Sequence, residues 1–261
     1  MRILFAGNNW LGLQALRFLR EAGEEIVGLA LHPPGKRKYA DELAAASGLA
    51  VNKILDGSSL NSPAGLAAAQ ALEADVVVSV LFDYLFRAPF LASFPRGVVN
   101  LHPALLPYNR GQYPNVWSIL EGTPSGVTFH YIDAGVDTGD IIAQRQVPVA
   151  PTDTGETLYR KLERAGLELF REAWLPFREG RAPRHPQSGA AGTSHRTADV
   201  DTVDEIDLER TYTGRALIDL LRARTFPPYR GAYFRDGDRK VYLRLQLEYG
   251  QEQEQQQEDE R

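Results

Sequence analysis

The stretch Asn100-Leu101-His102-Pro103-Ala104-Leu105-Leu106-Pro107-Tyr108-Asn109-Arg110-Gly111 comes directly after the apolar run Gly97-Val98-Val99. Such a run reads as a strand, and the two-residue period of a strand sends Asn100 and His102 the same way at its exit. A second apolar, β-branched run covers residues 74–82 and has the pattern of a strand buried on both faces. Upstream, residues 2–7 and 25–31 are further apolar runs, separated by a helical pattern with Leu13, Leu16 and Leu19 on one face. Helical patterns also cover residues 39–46 and 64–72. Strands alternating with helices predict an α/β fold with a mostly parallel sheet and right-handed crossovers. Ligands of such a sheet gather at the carboxyl ends of its strands. Asn100 and His102 fall at one of those ends.

Downstream the pattern changes. Residues 127–132 and 141–149 alternate or run apolar and read as antiparallel edge strands, bracketing the loop Asp133-Ala134-Gly135-Val136-Asp137-Thr138-Gly139-Asp140. For each carboxylate of that loop the ordinary role is capping a turn through an Asx bond. Brought to one point, an amide, an imidazole and a carboxylate have the parts for acyl-type transfer: an oxyanion donor, a proton carrier and a group that orients it. His130, in mid-strand between Phe129 and Tyr131, reads as a structural histidine. His32, His185 and His195 sit in loops rich in Pro or Ser. No histidine pair has zinc-ligand spacing and the chain has no cysteine, so no catalytic metal is expected.

Gly7-Asn8-Asn9-Trp10-Leu11-Gly12 follows the first strand, where a dinucleotide fold carries Gly-x-Gly-x-x-Gly. The middle glycine is missing and the outer spacing does not fit. His32-Pro33-Pro34, rather than an acid, follows the second strand, which argues against NAD. A strand-to-helix loop still receives a phosphate or a polar ligand edge, so Asn8, Asn9 and Trp10 are candidate acceptor-binding residues. Lys36-Arg37-Lys38 reads as a solvated basic loop, with phosphate steering as the alternative. Asp153-x-x-Glu156 reads as a capping box for a helix with Leu158, Leu162, Ala165, Leu169 and Ala173 on one face, closed by Pro176 and Gly180. A catalytic domain is thus expected over residues 1–180, followed by a linker over 181–204 and a small C-terminal subdomain over 205–248. The subdomain has a helical pattern at 215–222 and a hairpin through Asp236-Gly237. Residues 249–261, rich in Gln, Glu and Asp, read as a disordered acidic tail.

Asn100-x-His102, Leu105-Leu106-Pro107 with Arg110-Gly111, and Val136-Asp137-Thr138-Gly139 together resemble the folate-dependent formyltransferases. That family includes the glycinamide ribonucleotide, methionyl-tRNA and sugar-nucleotide formyltransferases. The likeness runs through most of residues 1–180. It implies a Rossmann-like sheet, 10-formyltetrahydrofolate as cosubstrate, and a catalytic triad at Asn100, His102 and Asp137. It further implies that Leu81, Phe82, Asp83, Tyr84 and Leu85 hold the pterin ring with backbone groups and apolar walls. The wording from Pro103 to Asn115 is most like the enzymes that formylate nucleotide-linked amino sugars. Arg110 and Asn115 are then acceptor-side candidates, with Trp117 packed under the catalytic loop. Phe226-Pro227-Pro228-Tyr229-Arg230-Gly231 resembles the turn those enzymes place near the acceptor, which adds Tyr229 and Arg230.

The 261 residues are 43% hydrophobic and 24% charged, with a net charge of −5. Such a chain is long enough for a sizeable core. Its acidic balance argues against a nucleic-acid surface, and the lack of cysteine excludes disulfides and thiolate catalysis. With no long apolar segment and no signal-like start, a cytoplasmic protein away from the membrane is expected. The expected partners are small molecules, a folate and a nucleotide-linked amino sugar, with a homodimer as the assembly. Two alternatives stand beside this reading. One is a methionyl-tRNA or other small-amine formyltransferase, although residues 205–248 are few for a tRNA-binding barrel. The other is a catalytically silent nucleotide-sugar binding module.

Overall fold

A computed structural model describes residues 1–187 and 192–250; residues 188–191 and 251–261, with most of the expected acidic tail, lie outside the described residues. The first half of the chain runs β1 (Arg2–Gly7), α1 (Asn9–Glu21), β2 (Glu25–Leu31), α2 (Ala40–Ser47), β3 (Ile54–Asp56), α3 (Pro63–Gln70), β4 (Val76–Val80), α4 (Ala88–Leu91) and β5 (Val98–His102). There follow β6 (Arg110–Gly111), α5 (Pro114–Leu120), β7 (Gly126–Tyr131), β8 (Ile141–Gln146), α6 (Gly155–Arg178), β9 (Ser194–His195), α7 (Gly214–Ala223), β10 (Tyr233–Asp236) and β11 (Arg239–Tyr242). Seven strands form one sheet in the order β3-β2-β1-β4-β5-β7-β8. The first five pair in parallel, and β7 and β8 close the edge antiparallel. The Rossmann-like, mostly parallel sheet expected from the sequence is therefore the fold.

Alternation along β4 shows why the run at 74–82 is apolar apart from Asp75 and the buried Ser79. Val76, Val78 and Val80 join the core under α1 and α6, while Val77 joins the core on the opposite face with Phe86, Phe90 and Phe94. Both faces are covered, so no position is left for a polar side chain to reach water. Helix α6 brings Leu158, Leu162, Leu169, Phe170, Trp174 and Phe177 onto the first face.

The start of α6 differs from the sequence reading. Thr154 is the cap: its hydroxyl accepts from Thr157 N–H (3.3 Å), and the Thr157 hydroxyl accepts from Thr154 N–H (2.9 Å). Asp153 is drawn to other partners, accepting from Ala150 N–H (2.7 Å) and Lys161 Nζ (2.8 Å). Pro176 lies inside the helix, which continues to Arg178 before Gly180 turns left-handed at φ +70°.

The C-terminal subdomain seats α7 against α5 and α6. Buried Arg222 donates to Ala150 O (3.1 Å) and Asp153 O (3.0 Å), and a Cβ on Gly155 would meet Ala223 O at 2.2 Å. Within the stretch expected as a linker, β9 pairs with β6 and Val200 is buried. Among the described residues no helix is long and apolar enough to cross a membrane.

Candidate active site

Strand β5 ends at the carboxyl edge of the sheet with Asn100 and His102, and antiparallel β7 places His130 directly opposite Asn100. Cross-strand partners share a face of the sheet and touch. Asn100 Nδ2 donates to His130 Nε2 (3.3 Å), and His130 Nδ1 lies 2.7 Å from Tyr131 O. A carbonyl only accepts, so Nδ1 carries the proton and Nε2 is left as an acceptor. Burial pushes the His130 pKa down from 6.5 to about 4, overcoming the opposing pull of the Asp137 carboxylate. His130 is thus a neutral imidazole that fixes the Asn100 amide, occupying one of its two N–H groups and leaving the other for a ligand.

Asp137 stands between two imidazoles. Its Oδ1 is 3.6 Å from His130 Nε2 and its Oδ2 is 3.6 Å from His102 Nε2, both longer than a hydrogen bond. Its direct partner is Gly111 N–H, which donates to Oδ2 at 2.9 Å. His102 Nε2 also faces Asn109 O at 3.3 Å, so this nitrogen carries a proton. Among the described residues no protein group holds His102 Nδ1. The other two acids of the loop have separate work. Asp133 accepts from Gly135 N–H (2.9 Å) and Thr138 Oγ1 (2.6 Å), closing the turn, and Asp140 pairs with Arg184 (3.0 Å). Of the three carboxylates, Asp137 is the one at the imidazoles.

These side chains open into a cavity of about 590 Å³. Asn8, Asn9, Leu81, Phe82, Asp83, Tyr84, Leu85, Asn100, His102, Asn115, Asp137 and Tyr229 all line it. Trp10 and Arg110 do not. Trp10 is half-buried against the core, and the Arg110 guanidinium turns to Gln187 Oε1 (2.7 Å). Asn115 is committed to structure, donating to Gly155 O at 2.8 Å. Asn9 Nδ2 donates to the Tyr159 hydroxyl (3.1 Å). Asn8 ties the basic loop to the end of β1 by accepting from Lys38 N–H at 2.7 Å, so Lys36 and Lys38 become part of the cavity wall. The Lys38 ammonium reaches the Tyr229 hydroxyl and lies 5.0 Å from its ring centroid.

At another part of the cavity, Phe82 stacks on Phe86 (5.7 Å, 11°), which stacks on Phe90 (4.9 Å, 18°). Leu85 (65% exposed) and Val136 (42%) leave apolar surface open at the same cavity, the lining a flat aromatic ligand needs. Among the described residues no group of three or more His, Cys, Asp or Glu side chains is spaced to hold a metal.

Sequence pattern alone does not single out two residues of this frame. His130 reads there as a structural histidine, and only the β5–β7 register reveals it opposite Asn100. Asn109, fully buried, donates to Ser118 Oγ (2.9 Å) and Thr123 Oγ1 (2.8 Å) and thereby fixes the carbonyl that faces His102. Trp117 is buried and stacks on His195 at 3.9 Å and 7°.

Residues 6–174 match the model of the formyl transferase family, and residues 199–249 match the N-formyltransferase dimerization C-terminal domain. The chain belongs to the formyl transferase family. Within the family it is 33% identical, over 242 residues, to the methionyl-tRNA formyltransferase of Symbiobacterium thermophilum, covering 89% of this chain and 72% of that one. It is 31% identical over 191 residues to the methionyl-tRNA formyltransferase of Syntrophus aciditrophicus, covering 71% of this chain but 61% of the relative's length. Among solved structures, a 4-N formyltransferase from Francisella tularensis is 28% identical with a TM-score of 0.79, covering 95% of this chain and 98% of that one. A formyltransferase from Anoxybacillus kamchatkensis, in complex with UDP-4,6-dideoxy-4-formamido-L-AltNAc and tetrahydrofolate, is 30% identical with a TM-score of 0.57, covering 77% and 89%. A sugar N-formyltransferase from a Shewanella species shares the fold, with a TM-score of 0.83 at 23% identity over 96% of this chain and 99% of that one.

Proposed function

We propose that the protein transfers the formyl group of 10-formyltetrahydrofolate to the amine of a nucleotide-linked amino sugar. The observation that carries this reading is the single cavity in which Asn100, His102 and Asp137 share space with the Leu81–Leu85 wall and with Lys36, Lys38, Tyr229 and Arg230. The apolar wall suits a pterin ring, and the cationic and aromatic group suits a nucleoside diphosphate. The folate supplies an activated formyl carbon. The free N–H of Asn100 and the imidazole of His102 are placed to stabilise negative charge on the formyl oxygen, each donor contributing about 3–4 kcal/mol. Asp137, 3.6 Å from His102 Nε2, accepts the proton that the attacking amine gives up, so that it can pass to the departing nitrogen. No covalent attachment to the protein is required.

The methionyl-tRNA names of the curated relatives favour a second acceptor. Against it stand the net charge of −5 and a C-terminal match confined to residues 199–249, which is described as a dimerization domain. Exposed Leu208, Ile218, Val241 and Tyr242 on this subdomain support a homodimer. The test is direct. The purified protein is assayed with 10-formyltetrahydrofolate and a panel of amino-sugar nucleotides, and its melting temperature is read with dTDP or UDP. A nucleotide at a hundred times its Kd adds about 2.7 kcal/mol of stability. If neither nucleotide raises the melting temperature at millimolar concentration while formylation of initiator tRNA proceeds, the sugar-nucleotide reading is wrong.

A further inference from the structure

Asp137 carries a positive φ of 52°, a backbone state that costs a non-glycine residue about 1 kcal/mol and is kept only when surroundings impose it. Part of what imposes it is one side chain in the stretch expected as a linker. Gln187 Nε2 donates to Asp137 O (2.9 Å) and to Gly139 O (2.8 Å), while its Oε1 accepts from Arg110 Nη2 (2.7 Å). Both amide hydrogens and the amide oxygen are used, and they join the Asp137 loop to the loop that follows β5. Described residues before and after Gln187 are hydrogen-bonded to the same frame. His185 and Ile141 exchange backbone hydrogen bonds at 2.8 and 2.9 Å just after the Asp137 loop. Ser194 and His195 pair with Arg110 and Gly111, and the Thr193 hydroxyl accepts from Asn109 N–H at 2.9 Å. Gly111, held by this pairing, supplies the N–H on the Asp137 carboxylate. A Cβ there would meet His195 O at 2.3 Å, and one on Gly139 would meet Tyr131 O at 2.0 Å, so both loops are fitted closely to their frame.

We propose that Gln187 is a positioning residue for the reaction: it latches the Asp137 backbone so that the carboxylate stays between His102 and His130. Arg110 serves the same latch from the other side rather than touching the acceptor. The inference rests on the reading of Asp137 as part of the formyl-transfer machinery. A displacement near 1 Å in such a group costs about a hundred-fold in rate. Gln187→Ala is therefore expected to lower kcat about ten- to a hundred-fold while the KM values of folate and acceptor stay within about two-fold. Gln187→Glu keeps a partner for Arg110 and removes both N–H donors; it is expected to lower kcat as much as Gln187→Ala. Backbone hydrogen exchange of residues 132–141 is expected to rise in both variants while that of β1 to β5 is unchanged. Wild-type kcat in either folded variant, or unchanged exchange over 132–141, overturns the latch. If the wild-type protein transfers no formyl group to any acceptor, the functional reading fails, and the exchange measurement still decides whether Gln187 holds the loop.

Discussion

His130 offers a sharp test, because its burial has a stability cost that depends on pH. Its folded pKa is about 4 and its ordinary value is 6.5. Above pH 6.5 the folded and unfolded chains both hold it neutral, and it contributes no pH dependence. Between 6.5 and 4 the unfolded chain takes up the proton and the folded chain refuses it, so stability falls as pH falls. Below 4 both states are protonated and the loss is complete. At about 1.4 kcal/mol for each pH unit of that interval, His130 alone removes about 3 kcal/mol on acidification. His130→Leu, similar in size and unable to titrate, abolishes this component. It also strands Tyr131 O and one N–H of Asn100, which costs about 1–3 kcal/mol at neutral pH. The assay is urea denaturation followed by circular dichroism at pH 7.5, 5.5 and 4.5 for both proteins. The wild type is expected to be the more stable at pH 7.5, with its advantage shrinking by about 2–3 kcal/mol by pH 4.5. An advantage that stays constant across the range refutes the neutral-imidazole assignment. The same substitution frees the Asn100 amide and is expected to lower kcat about a hundred-fold at neutral pH.

Asn100→Ala, His102→Ala and Asp137→Ala are each expected to lower formyl transfer by about a hundred-fold or more with the fold intact; wild-type turnover in a folded His102→Ala protein refutes the triad. Exhaustive chelation is expected to leave the rate unchanged, and a loss restored by added zinc overturns that expectation. Tyr229→Phe removes the hydroxyl that meets Lys38 and, on the proposed function, is expected to raise the KM of the amine acceptor about three- to ten-fold with the folate KM unchanged, read by steady-state kinetics.

The sequence made legible what is decided by local pattern and by burial on both sides of a sheet. Arg2–Gly7 and Glu25–Leu31 are strands over the ranges their apolar runs predicted, because a short apolar run bounded by Gly or Pro buries side chains on both faces of a sheet between two helix layers. Asn100 and His102 emerge at the strand end for the same reason. Polar side chains are another matter, since each takes its role from particular partners that no hydrophobic period announces. Asp153 has the look of a cap, but Lys161 and Ala150 N–H claim it, and the cap passes to Thr154. Arg110, close after Asn100 and His102 in the chain, has the look of a substrate ligand; Gln187, 77 positions away, takes its guanidinium. His130 acquires its place from a register between β5 and β7 that no hydrophobic period encodes, because a shift by one residue would put it on the opposite face from Asn100. The asymmetry has a physical cause. Apolar burial is additive and non-directional, so a run of side chains announces it, whereas a hydrogen bond needs one atom of one partner at one distance. The Asp137 loop is the extreme case. Its backbone is held in a left-handed state by an amide 50 residues downstream, so the carboxylate is visible in the sequence and the geometry that makes it useful is not.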